Sequence, residues 1–426
     1  MPNIPPDLPG CSGRWLDPLW SAATTLAVYI VLSPSDLSDT ELAAAIITAV
    51  ALVISAVELR TQWPGFNHRR TTLKTVVANS LLDTVEALLG VAAVFGLWWL
   101  FWGEYGLPHY RPLWVGAKLA VPALPPIIFL AAVANSLLRG GAPCQRPLST
   151  ALRMKNSSWD KAAITNALLA LFVRAIFLPL NFCTLVHGIS QFRGREFLFF
   201  ESAWPTQQAA ILAMLYALLL AAITPAYLFS SRLLATHTRA CDRTLLGWVA
   251  TLCCYAPLSA PVFDRWLNYR GPQPLGDRPW ADLLAPWPTV SLGIGGAIIA
   301  LEVAHWWGEA SFGLRASNLS NRGIITTGPY RFCKHPIYLS KCLGWALIYL
   351  PFAEGGFEGV RRTLLFAGVC AIYAVRSYAE ERLLSSDPYY VRYALWMDEN
   401  GIFSRLGRYA PQFRFETRYA RWRDHT

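Results

Sequence analysis

Two short stretches in the last third of the chain set polar and aromatic side chains at telling intervals. The first runs Gly328-Pro329-Tyr330-Arg331-Phe332-Cys333-Lys334-His335-Pro336-Ile337-Tyr338. Gly328-Pro329 reads as a turn, and Pro336 suits the first turn of a helix, where its fixed φ and missing N–H cost nothing. Lys334 and His335 then stand at a helix N-terminus, which favours an anionic group, and Tyr338 lies one turn along. The second stretch runs Arg376-Ser377-Tyr378-Ala379-Glu380-Glu381-Arg382-Leu383-Leu384 and continues through Asp387-Pro388-Tyr389-Tyr390 to Tyr393. Glu380 and Glu381 cannot both pair with Arg376 or Arg382, so one of them can face a cavity and hold a ligand ammonium. The competing reading is a solvated helix end with i, i+4 ion pairs. Glu302 and His305, three residues apart just upstream, can face a substrate or pair with each other.

The elements that carry these residues follow from composition. Of 426 residues 54% are hydrophobic and 15% charged, yet the net charge is +10. Soluble domains carry about 25% charged residues, so lipid is the main solvent of this chain. Disordered, collagen-like and small disulfide-rich classes are excluded by the same figures. The nine cysteines are scattered without a C-x-x-C, and no metal site is expected. A bilayer core is crossed by about 20 apolar residues in a helix. That ruler predicts ten spans, at 15–33, 42–59, 77–102, 113–137, 162–189, 207–230, 244–263, 288–307, 336–353 and 360–379. With the N-terminus in the cytoplasm, and with Arg361, Arg362 and Arg376 counted with the loops that their span adjoins, 26 lysines and arginines fall on the cytoplasmic side and 8 on the other, as the positive-inside rule requires. The expected fold is an all-α, polytopic membrane helix bundle of about ten transmembrane helices with both termini cytoplasmic. Residues 1–287 would form seven N-terminal spans of unassigned role, and 288–426 a C-terminal membrane domain with a ligand pocket and a cytoplasmic tail.

Most of the spans read as scaffold. Residues 207–224 are assigned to lipid contact, Trp98, Trp99 and Trp102 to an interfacial aromatic belt, and Gly293 to Gly296 to helix packing. Asp83, Glu86 and Arg174 inside spans read as an interhelical ion pair or as a functional group. The sequons at Asn156 and Asn318 fall on the cytoplasmic side and are not expected to be used. Leu8-Pro9-Gly10-Cys11 lacks the apolar segment of a lipoprotein signal. Tail arginines interleaved with aromatics (Phe403, Tyr409, Phe413, Phe415, Tyr419, Trp422) are read as attraction to anionic lipid, and no nucleic-acid partner is expected.

Taken together, G-P-Y-R-x-x-K-H-P-x-Y followed about 40 residues later by E-E-R-L-L-x-x-D-P-x-Y resembles the isoprenylcysteine carboxyl methyltransferase family of integral-membrane methyltransferases. The resemblance covers roughly residues 300–410. It implies an S-adenosylmethionine site built from the C-terminal helices, on the cytoplasmic side of the membrane. Carried over, His335, Pro336 and Tyr338 approach the cofactor from the start of one helix, with Lys334 on its carboxylate. Glu380 and Glu381 bind or orient it from the end of the next, Gly328 and Tyr330 shape the entry loop, and Tyr390 and Tyr393 close an aromatic wall. The chain departs from the family in Lys334, where Arg is common, in Ser340, where Gly is common, and in the Met397-Asp398-Glu399-Asn400-Gly401 ending. Glu302, His305 and Arg376 are the substrate-side candidates, and no catalytic base is assigned.

The implied reaction is methyl transfer from the sulfonium to a lipophilic or amphiphilic acceptor, such as an isoprenylcysteine carboxylate or another lipid. A carboxylate acceptor is already anionic and needs no base. Membrane sterol reductases have a similar Lys/Arg-His-Pro-x-Tyr element and use NADPH. A lipid-binding or transport protein without catalysis is the remaining alternative.

Overall fold

The structure is a computed structural model that describes residues 16–62, 72–100, 112, 115–116, 124–138, 161–200, 204–228, 230–270, 279–353 and 355–424. Arg14, Arg69, Arg70, Arg111, Arg139, Arg146, Arg153, Lys155, Arg278, Trp102, the Asn156 sequon and the Leu8–Cys11 stretch lie outside the described residues, as does much of the expected span 113–137. The described residues are all-α apart from one two-stranded ladder. Its helices are α1 (Asp17–Leu32), α2 (Asp39–Gln62), α3 (Leu73–Trp98), α4 (Leu124–Leu138), α5 (Lys161–Arg193), α6 (Trp204–Leu228) and α7 (Leu245–Leu252). They continue with α8 (Pro279–Leu283), α9 (Pro288–Ala310), α10 (Pro336–Tyr349), α11 (Gly356–Leu384), α12 (Pro388–Asn400), α13 (Ser404–Tyr409) and α14 (Phe415–Asp424).

Five of them, α2, α3, α5, α6 and α9, are long and apolar enough to cross a membrane. By length and composition this is a multi-pass membrane protein. A helix satisfies every interior backbone group within its own segment, which is what hydrocarbon demands. Other expected spans take different forms. Helices α1 and α4 are apolar but only 16 and 15 residues long. The expected span 244–263 is no single helix: α7 stops after 8 residues, turns follow, and a π-helix covers Ala260–Trp266. Pro257 explains the break, because it has no N–H for the helical ladder and its ring clashes with the preceding turn. The expected span 336–353 ends early, at Leu350 in the left-handed conformation with φ 41°. The last expected span, 360–379, lies inside the 29-residue α11, whose ends are studded with charge.

Helix α6 is the centre of the bundle rather than its lipid face. It packs against α5, α9, α2 and α1, and 67% of its apolar window is buried inside the protein. The correction follows from side-chain size: Ala209, Ala210, Ala213, Ala217, Ala221, Ala222 and Ala226 are all buried, and small residues let helix backbones approach closely. Trp98 likewise belongs to the core, packed with Leu42, Ile46 and Leu185, whereas Trp99 is 63% exposed. In the Gly293–Gly296 run only Gly295 is needed for packing. A Cβ there would meet the Trp204 and Trp280 rings at 2.5 and 2.9 Å, while Gly293 and Gly296 face open space. The helices that hold Asp83, Glu86 and Arg174 pack on each other.

Two devices tie the C-terminal helices to the bundle. Strand Ala240–Cys241 pairs antiparallel with Ser320–Asn321, joining the segment before α7 to the loop after α9. The guanidinium of Arg315 forms a buried bidentate ion pair with Glu58 at the end of α2. Beyond α11, helices α12 and α14 enclose a small core of Tyr390, Tyr393, Phe415, Tyr419 and Trp422. Half of the tail aromatics are therefore structural.

Candidate functional site

An open cleft lies where the loop after α9, the start of α10 and the end of α11 meet. It encloses about 820 Å³ between its walls, counting the part continuous with solvent. Its lining includes Tyr330, Lys334, His335, Tyr338, Arg376, Glu380, Tyr390 and Tyr393, eight of the thirteen side chains singled out from the sequence. Local geometry explains how they converge. Gly328 sits at φ +60°, and a Cβ there would approach Trp307 Nε1 at 3.0 Å and Ser311 Oγ at 3.2 Å. Only glycine meets both conditions without strain. His335 is the N-cap residue of α10, with Pro336 at N1. Asp387 caps α12 by accepting from the Tyr389 N–H at 3.0 Å, and its other oxygen holds Arg239 and Asn321 at 3.1 and 3.3 Å.

The adjacent carboxylates have separate environments. Glu381 is 1% exposed and does not line the cleft. Its Oε1 lies 3.1 Å from His335 Nε2 and 3.3 Å from Lys334 Nζ, and its Oε2 lies 2.7 Å from Arg418. Burial by itself would raise the carboxyl, but Lys334, then His335, and also Arg418 outweigh it and hold the group at about 2. Glu380 faces the cleft with about a third of its side chain exposed. It accepts a hydrogen bond from the Tyr338 hydroxyl at 2.6 Å and lies 3.9 Å from His335 Nδ1.

The cations divide in the same way. Lys334 lines the cleft but is already engaged by Glu381 and by Asp398 at 3.2 Å, with the Phe415 ring 5.4 Å away. Arg376 is 8% exposed and has no carboxylate partner among the described residues. Its guanidinium donates to Asn318 Oδ1 at 2.5 Å and to the Tyr255 hydroxyl at 3.2 Å, and it stacks over the Tyr255 and Tyr338 rings. The His335 and Tyr338 rings are themselves stacked, 5.5 Å apart. Tyr393 donates to the Tyr330 carbonyl at 2.8 Å and so fixes the loop to α12. The hydroxyl of Tyr390 is buried without a hydrogen-bond partner among the described residues. The Tyr390 ring packs against Tyr393 and Phe415 at the edge of the α12–α14 core.

The cleft is also lined by Asp242, Gly247, Thr251, Arg315, Ser317, Asn318 and Arg322. Arg322 donates to the carbonyls of Thr236, Ala226 and Ala316. Burial, then the nearby charge of Arg174, pushes its guanidinium down to about 9, still a cation at neutral pH. Glu302 and His305 pair with each other at 3.1 Å, and neither lines the cleft. Pro336 and Gly328 shape the site without facing it.

Three groups escaped the sequence. Asn318 was visible only as a sequon, yet it bridges Arg376 to the Tyr227 hydroxyl, to which its N–H and amide nitrogen donate at 3.0 and 3.1 Å. Arg418 looked like one more tail arginine. Glu58, 257 residues from its partner Arg315, left no local signal at all. Comparison with protein-family models, with curated proteins and with solved structures finds no match for this chain.

Proposed function

We propose that the cleft binds S-adenosylmethionine and that the protein transfers its methyl group to an amphiphilic acceptor at the cytoplasmic membrane face. One observation carries this reading. Glu380 and Arg376 present opposite charges to one cleft with Tyr338 between them, a match for the ammonium and carboxylate of an amino-acid moiety. The residues present fit the group. Glu380 would hold the ammonium and Arg376, rather than the occupied Lys334, the carboxylate. The His335 ring, partly open at the cleft, would offer a π-face to the adenine or the sulfonium. When bound, S-adenosylmethionine supplies the activated methyl. The protein contributes positioning and exclusion of water. Glu381 with Lys334, His335 and Arg418 forms the rigid floor beneath. The motif resemblance of residues 328–338 and 380–390 supports the same assignment.

The acceptor side is polar, with Ser317, Asn318 and Arg322 on its wall, so the acceptor would present a polar headgroup there while its tail stays in the bilayer. The charge asymmetry of the loops supports an orientation with both termini on the cytoplasmic side. Calorimetry of the purified protein tests the reading. S-adenosylmethionine should bind, and Glu380→Gln and Arg376→Gln should each weaken it about ten- to a hundredfold, the loss expected for a charge-assisted hydrogen bond. Binding of NADPH alone would sink the methyltransferase reading in favour of a reductase. Binding of neither would leave a lipid-binding protein.

A further inference from the structure

We propose that residues 401–413 form an interfacial anchor that inserts into the anionic leaflet of the membrane and is bolted to the wall of the cleft. The segment Gly401-Ile402-Phe403-Ser404-Arg405-Leu406-Gly407-Arg408-Tyr409-Ala410-Pro411-Gln412-Phe413 contains no acidic residue. Its inner side is made by glycine. A Cβ on Gly401 would lie 2.7 Å from the Met397 carbonyl and 3.3 Å from the Phe332 carbonyl, and one on Gly407 would lie 3.1 Å from Arg414 Cγ. The outer side is apolar and open. Ile402, Phe403, Leu406, Tyr409 and Phe413 are 58, 50, 55, 89 and 65% exposed, and Phe332 beside them is 62% exposed. Scattered apolar residues are normal on a surface, but a contiguous patch of this kind marks a partner.

Charge and position select the partner. Arg331, Arg405 and Arg408 are exposed among these side chains and form no ion pair among the described residues, whereas Arg414 at the base is paired with Glu399 and Glu416. Unpaired arginine beside exposed aromatic and aliphatic side chains is the pattern of a segment lying in an anionic lipid interface. The anchor is also fixed to the rim of the bundle. The Ile402 N–H donates to the Phe332 carbonyl at 2.9 Å, and Phe332 stands four residues before the first turn of α10. A leaflet that holds Ile402 and Phe403 therefore holds Phe332, and through it Lys334 and His335. This inference needs the protein to sit in a bilayer and is independent of methyl transfer.

Hydrogen–deuterium exchange of the full chain in lipid nanodiscs, one copy per disc, tests it. Discs of phosphatidylcholine alone are compared with discs containing about one-third phosphatidylglycerol. Exchange across 401–413 should slow at least about fivefold in the anionic discs, since each arginine near such a surface is worth about that factor in binding. Arg405→Gln with Arg408→Gln should remove the difference between the two compositions. Phe403→Asp with Leu406→Asp should remove protection in both, with exchange across α9 to α11 unchanged. Equal exchange in the two lipids, or protection that survives Phe403→Asp with Leu406→Asp, overturns the proposal. Protection that appears only with two copies per disc would assign the patch to a second chain instead and also overturns it.

Discussion

Glu380 and Glu381 are neighbours in the chain and opposites in environment. Helical geometry turns consecutive side chains about 100° apart, so one meets the cleft and the other the buried side of the helix. Substituting them should therefore separate ligand binding from stability. Glu380→Gln should weaken S-adenosylmethionine with little change in thermal unfolding. Glu381→Gln leaves Lys334, His335 and Arg418 short of their shared counter-charge and should destabilise the fold by about 3–5 kcal/mol, the cost of breaking a buried pair. The pH dependence follows from linkage. Glu381 is held near 2 in the folded protein against an ordinary value of 4.5. Its stabilisation is fully present above about 4.5 and is lost as pH falls toward about 2. Thermal unfolding of the parent protein and of Glu381→Gln should therefore differ most at neutral pH and converge below about pH 4. A gap that stays constant across that window would mean Glu381 is not the titrating group.

At the scale of elements, the site is an arrangement of helix ends: the start of α10, the end of α11 and the capped start of α12. Pro336 and the Glu380–Glu381 pair marked the first two of these termini, because turn and helix-end chemistry are local; the capping of α12 by Asp387 is seen in the structure. Gly328 belongs to the same scale. Gly328→Ala imposes a left-handed backbone on an L-residue, at about 1–2 kcal/mol, and drives the new methyl against Trp307. The expected result is a lower unfolding temperature together with weaker ligand binding. A stability change without a binding change would detach the loop from the site. The seventh expected span failed for an equally local reason, a proline in mid-run whose weight an averaged hydropathy hides. Lys334 shows the opposite limit. Its place at a helix start was legible, but its capture by Glu381 and Asp398 required α11 and α12 to arrive from 47 to 64 residues away.

Across the whole molecule, helices α2 and α6 buttress the cleft without lining it. Glu58 on α2 fixes Arg315, Tyr227 on α6 holds Asn318, and Asn318 in turn accepts from Arg376. Glu58→Gln removes the counter-charge of a side chain 3% exposed and should cost about 3–5 kcal/mol. If Arg315 and Asn318 are positioned this way, ligand affinity should fall as well, although Glu58 itself does not line the cleft. Calorimetry below the unfolding temperature of the variant checks this, and unchanged affinity would make α2 scaffold only. Composition and the spacing of apolar runs were enough to predict an all-α chain with membrane-length helices, and turn and helix-end residues together with the motif resemblance marked residues 328–338 and 376–393, because solvent preference, turns and caps act over a few residues. Packing decided the rest: α6 at the centre, Glu381 buried while Glu380 is open, Arg376 on Asn318 and Tyr255, and Glu58 on Arg315. Those outcomes depend on which surfaces meet across hundreds of residues, and no local pattern of side chains encodes that meeting.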